Sequence, residues 1–123
     1  MRVVFDTNIL VSALLFPGGR GEQALLRILE ERDELLLSKA ILDELLGVLA
    51  RKFAHDAEEL SRVALLLDEI SSAVRPRRRV QVLRDAPDNR ILECAVAGGA
   101  GLIVTGDRAL LALGEYAGAR IVT

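Results

Sequence analysis

At 123 residues, with 51% hydrophobic residues, the chain is of single-domain size and has ample material for one core. The formal charge of −2 excludes a protein that binds polyanions by net charge alone. No apolar run approaches the ~18 residues that span a bilayer, so no membrane segment is expected. The single cysteine, Cys94, cannot form an internal disulfide. The N-terminus has no basic region followed by an apolar stretch and a cleavage site, so the cytoplasm is the expected compartment.

The first stretch, Val3-Val4-Phe5-Asp6-Thr7-Asn8, is an apolar run that stops at a carboxylate. Continuous rather than alternating apolar character predicts a buried parallel strand, and the same holds for Leu35 to Leu37, Leu102 to Val104, and Ile121 to Val122. Helical periodicity fills the intervals. A short helix is expected from Asn8 to about Leu15, ended by Phe16-Pro17-Gly18-Gly19, which reads as a mobile loop. A second runs from about Glu22 to Glu31. The third starts at an N-cap, Ser38, and continues to about Phe53. The fourth spans roughly Ala57 to Val74, the fifth Asp88 to Ala97, and a short turn of helix follows Asp107. Strands interleaved with helices predict one α/β domain over residues 1–123, an α/β/α sandwich whose mostly parallel, twisted sheet has four or five short strands.

In such folds ligands bind beyond the carboxyl ends of the strands, where Asp6 and Asp107 lie. Each taken alone reads more readily as a helix N-cap than as a ligand. On a helical wheel of about 100° per residue, Glu44 borders the apolar arc of the third helix, whereas Asp43 points away. Asp88 falls within the Ile91, Leu92 and Ala95 face of the fifth helix, while Arg90 and Glu93 are expected to face outward. Asp85 begins Asp85-Ala86-Pro87-Asp88, a helix start in which it would be the cap, and Asp88 itself suits the positive end of that helix.

Inward carboxylates without a nearby lysine or histidine repel one another, and a hard divalent cation with oxygen ligands is the natural remedy. Mg²⁺ or Mn²⁺ fits, and zinc does not. His55 and Cys94 are the only nitrogen or sulfur candidates; Cys94 reads as a core residue and His55 as a surface residue at a helix start. Arg75, Arg77, Arg78 and Arg79 place four charges in five residues, with Arg84 close behind, and this run is either a solvated loop or a contact for a polyanion.

Four segments in order, Val3-Val4-Phe5-Asp6-Thr7-Asn8-Ile9-Leu10, Ile41-Leu42-Asp43-Glu44-Leu45, Asp85 to Ala95, and Val104-Thr105-Gly106-Asp107 with Ala109-Leu110-Leu111, resemble the PIN domain over nearly the whole chain. The similarity is to the subgroup assigned to toxin/antitoxin systems and related to VapC-type ribonucleases. It implies a ribonuclease dependent on one or two Mg²⁺ or Mn²⁺ ions, with Asp6, Glu44, Asp88 and Asp107 as catalytic metal ligands and Asn8 and Thr105 in supporting positions; Asp85 joins these as a polar neighbour. It also implies an RNA substrate, a cognate antitoxin and self-association as a homodimer or higher oligomer. Members usually continue past the last strand with a Thr-Pro segment, whereas this sequence stops at Ile121-Val122-Thr123; the end is either a truncation or a short form, and the resemblance leaves the sheet edge and any oligomer contact there open.

Arg20, Arg75, Arg77, Arg78, Arg79 and Arg84 are the expected RNA-backbone contacts. With 3% aromatic residues, stacking platforms for bases are scarce. Two other readings compete with the nuclease. One is a non-catalytic RNA- or partner-binding module. The other is a receiver- or phosphatase-like Mg²⁺-binding domain, which would want a lysine near the last strands; the only two lysines, Lys39 and Lys52, are elsewhere. The fourth helix carries Leu65 and Leu66 beside its main stripe, so either a wide core or a second copy would cover it.

Overall fold

In the computed structural model, which describes residues 1–123, the first strand, β1 (Arg2–Phe5), is the middle of the sheet. Val3, Val4 and Phe5 are essentially inaccessible to solvent because the strand is covered on both faces and paired on both edges. It runs parallel to β2 (Glu34–Ser38), with Val3 opposite Leu35, and to β4 (Leu102–Val104), with Val4 opposite Ile103, in the six-stranded order β3-β2-β1-β4-β6-β5. Every pairing is parallel except that of β5 (Glu115–Tyr116) with β6 (Ala119–Val122).

Helices α1 (Thr7–Leu15) and α2 (Arg20–Glu30) connect β1 to β2; α3 (Lys39–Phe53) and α4 (Ala57–Ile70) connect β2 to β3 (Ser71–Val74). From β3 the chain reverses across the sheet, and α5 (Ala86–Gly98) packs against β3, β2 and β1 before β4 forms on the far edge of β1. The connections from β1 to β3 and from β3 to β4 run in opposite directions across the sheet, which for crossovers of the usual right hand assigns α1 to α4 to one face and α5 to the other, and α3 also meets α5. The last helix, α6 (Arg108–Leu113), leads to the β5–β6 hairpin.

Helix starts are set by local chemistry. The Ser38 side chain accepts a hydrogen bond from the Ile41 backbone N–H, and Asp56 and Glu59 form a reciprocal capping box at α4. The expected elements form with shifts of a few residues at their ends, with two exceptions. The periodicity of the fourth helix extends to Val74, but the helix ends at Ile70 and the next four residues are edge strand β3. Ser71-Ser72-Ala73-Val74 pairs with Leu35 to Ser38, and the Ser72 hydroxyl donates to Glu34 Oε1 at 2.9 Å. Tertiary pairing overrides a local pattern that carries little apolar information there. The expected four or five strands are therefore six, the other addition being β5. It is closed onto β6 by Ala117 and Gly118, both at positive φ, as tight hairpin turns require.

Gly21 marks the closest helix contact. A Cβ added there would meet the backbone nitrogen of Ala13 at 2.9 Å and the backbone oxygen of Ile9 at 3.0 Å, so α1 and α2 touch main chain to main chain. Gly21→Ala is expected to destabilise the protein by about 1–3 kcal/mol, because rigid backbone must move. Urea titration measures it, and an unchanged midpoint contradicts the close packing.

Candidate active site

The order of the strands changes direction between β1 and β4, and at that switch point the carboxyl ends of the two strands sit side by side. Asp6 follows β1 and its backbone N–H donates to Val104 O at 2.9 Å, which fixes the end of β1 against β4. The Asp6 side chain is 7% exposed and does not cap α1. Instead it accepts from the Thr105 hydroxyl at 2.6 Å. The same hydroxyl oxygen accepts from the Asp107 backbone N–H at 2.9 Å, so fully buried Thr105 ties the residue after β1 to the turn after β4. Asp107 caps α6, its Oδ2 accepting from the Leu110 N–H at 3.0 Å.

Asp88, in the first turn of α5, is 6% exposed and lies beside Asp107, with Asp85 and Asp6 also near enough to act on it. Burial, and then the charges of Asp107 and Asp85, push its carboxyl up to about 7. Burial likewise raises Asp6, opposed by the Thr105 hydrogen bond and the Asn8 backbone N–H and reinforced by the Asp107 charge. No lysine, arginine or histidine forms an ion pair with any of these acids.

The structure thus brings together Asp6, Asp85, Asp88 and Asp107 at one end of the sheet, with Thr105 between two of them. Asp85 occupies the N-cap position of α5, but its side chain makes no capping hydrogen bond. Glu44 is half-buried on α3 and makes no hydrogen bond or ion pair. Asn8 is exposed. As the side chains stand, no three acids, histidines or cysteines converge closely enough to share one ion. The donor chemistry nonetheless suits a hard cation: three aspartates, two of them buried, carry mutual repulsion that no cationic side chain relieves.

Cys94 is buried, and burial pushes its thiol up to about 11, so it is a packing residue and not a nucleophile or ligand. Among the arginines, Arg75, Arg77, Arg78 and Arg79 leave the carboxyl end of β3, the same end of the parallel sheet as the acids, and all four are exposed. Arg20 begins α2 and Arg84 lies just before α5.

The expectation that Arg90 and Glu93 face outward is reversed: the Arg90 side chain is 22% exposed. Periodicity puts Glu93 on the outward face of α5, yet it is 6% exposed, because the segment after β3 folds over that face. Its Oε2 accepts from the Val80 N–H at 2.8 Å and pairs with Arg90 at 3.0 Å. Asn89 is buried for the same reason, its amide exchanging two hydrogen bonds of 2.8 Å with the Leu83 backbone. Helical periodicity could not reveal these contacts, since it says nothing of a covering loop.

A family model for the PIN domain matches residues 2–109. MJ1680, an uncharacterized protein of Methanocaldococcus jannaschii, is 31% identical over 117 residues, covering 92% of this chain and 75% of that protein. Among solved structures, the fold is similar to a chain of VapBC2 from Rickettsia felis bound to a DNA fragment from their promoter, with a TM-score of 0.70 and 15% identity over 98% of this chain and 97% of that one. The chain belongs to the PIN domain family. PIN domains are generally nucleases, and those nucleases typically use divalent metal ions.

Proposed function

We propose that this chain is a Mg²⁺- or Mn²⁺-dependent ribonuclease acting in the cytoplasm as the toxin of a toxin/antitoxin pair. The observation that carries the reading is the buried, uncompensated aspartate group at the β1/β4 switch point. Asp6, Asp88 and Asp107 would hold one or two ions, with Glu44 completing the shell directly or through water. A bound divalent ion lowers the pKa of water and neutralises charge building on a phosphate. The chain's own part is to hold the acids apart from other cations, to orient Asp6 through Thr105 and to fix Asp107 at the start of α6. Asn8 and Asp85 border the site and would orient water. The cognate antitoxin is supported by the likeness of fold to VapBC2. Self-association is supported by Leu65 and Leu66 on α4, which are 66% and 43% exposed.

The test is cleavage of single-stranded RNA by purified protein free of any copurifying partner. Cutting is expected with Mn²⁺ or Mg²⁺, with loss in EDTA and a fall of at least ~10²-fold in Asp6→Ala, in line with loss of a metal ligand. Folded protein that cuts no RNA with either ion, or an Asp6→Ala variant that cuts normally, overturns the reading.

A further inference from the structure

The segment from Arg75 to Asp85 contains neither helix nor strand, and such stretches are ordinarily mobile. Here α5, the helix that carries Asp88, holds it at two points. Val80 is buried; its N–H donates to Glu93, and its carbonyl accepts from Arg90 at 3.2 Å. Leu83 is held through both its backbone groups by the Asn89 amide. A solvated loop needs no buried glutamate beneath it. Burying the Glu93 carboxylate is costly unless it is bonded on every side, and the backbone of this segment supplies part of that bonding.

The latch holds an arginine strap beside a cavity of about 570 Å³, lined by the Arg75–Arg79 run, by Lys39 of α3, which is paired with Asp43, and by Arg90 and Glu93 of α5. Arg90 is paired with Glu93, so the two cancel, but its Nε is buried with no hydrogen-bond partner. None of the four strap arginines makes an ion pair. Four exposed arginines without ion pairs around a hollow, on a chain of net charge −2, call for an anion from outside. The strap leaves the end of β3, two strand positions from β1, so its root at Val74 lies roughly 10 Å across the sheet from the end of β1. An offset of that size from the acids suits phosphates flanking the one to be cut along a polynucleotide.

We propose that the Arg75–Arg79 strap, latched to α5 by Asn89, Arg90 and Glu93, is a fixed site for the sugar-phosphate backbone of single-stranded RNA flanking the phosphate to be cut. The inference rests on the ribonuclease reading for the identity of the strand. Asn89 and Glu93 are positioning residues: they touch the strap, and the strap touches the RNA. A short diester without flanking phosphates would miss the strap.

The experiment is fluorescence anisotropy of a labelled 12-nucleotide oligouridylate with the intact protein in EDTA, across a salt series. The double variant Arg77→Gln/Arg78→Gln is expected to bind at least ~10-fold more weakly at low salt. It should also flatten the slope of log affinity against log salt by about 1.4, two single-strand phosphate contacts. Glu93→Ala, which removes a negative charge and by charge alone would tighten binding, is expected to weaken it at least ~3-fold. Glu93→Gln keeps an acceptor for the Val80 N–H and should restore it. An arginine variant with an unchanged slope overturns the proposal and leaves an acidic protein segment as the strap's ligand. A folded Glu93→Ala protein that binds as tightly as the parent, or tighter, overturns the latch; if that variant does not fold, the exposed arginines still decide the site. Binding without metal is read separately from cleavage. Arginine-dependent binding without cleavage removes the nuclease reading alone, and cleavage with arginine-independent binding removes the strap alone.

Discussion

Asp88→Asn is expected to reduce RNA cleavage by at least ~10²-fold while making the metal-free protein more stable, not less. The side chain is 6% exposed and faces Asp107, Asp85 and Asp6 with no cation among them. Its folded-state value of about 7 stands above the ordinary 3.8. A carboxyl raised in this way favours the fold when protonated, below its unfolded value, and that contribution is lost as pH rises from about 4 through about 7. At pH 8 without metal, the ionised group works against folding. An asparagine of the same shape removes the charge, and a gain of about 1–2 kcal/mol is expected, a fraction of the full conversion of the shift. On the scale of this chain that is an increase of about 3–8 °C in Tm. Thermal denaturation in EDTA at pH 8 and pH 5 checks it: the gain should be large at pH 8 and shrink at pH 5. A variant less stable than the parent at pH 8 contradicts the crowding of the acids, and one with full cleavage contradicts the metal-ligand role.

The second large effect centres on a neutral residue. Thr105→Val keeps the shape of a side chain with no solvent access but removes the hydroxyl that donates to Asp6 and accepts from the Asp107 N–H. The Asp107 N–H loses its partner, and the Asp6 carboxylate loses a charge-assisted hydrogen bond in a site that already penalises its charge. A loss of about 2–4 kcal/mol is expected, together with a fall in cleavage of at least ~10-fold from disorder in the ligand set. Thr105→Ser retains the hydroxyl and should recover most of both. Chemical denaturation with parallel cleavage assays makes the comparison. Equal behaviour of the valine and serine variants would mean that the bridge contributes nothing.

Much of the architecture could be read from hydrophobic patterning, because a strand buried on both faces has to be apolar throughout. Val3-Val4-Phe5, Leu35-Leu36-Leu37 and Leu102-Ile103-Val104 have no alternative role, and they form the three central strands. The abrupt change from Phe5 to Asp6, and the turn Thr105-Gly106-Asp107, likewise announce strand ends. Edge elements are less legible. Ser71 to Val74 and Glu115-Tyr116 become strands because a neighbour offers hydrogen bonds, and no local pattern records that offer.

The sequence by itself determined the class of fold, the burial of Asp88 on the apolar stripe of its helix, and the placing of Asp6 and Asp107 at strand ends, since each follows from local periodicity. Only the tertiary structure decided that Asp6 forgoes its own helix to bond Thr105, because that partner is 99 residues away. It likewise decided that Asp107 does cap α6, and that Asp88 is crowded by acids from two other segments. The inward turn of Asn89, Arg90 and Glu93 also belongs to the tertiary structure: whether a polar helix face meets water or a covering strap depends on where a distant, irregular segment lies. Periodicity reports the face a helix gives to the core, but contacts between segments report what that face and its opposite actually meet.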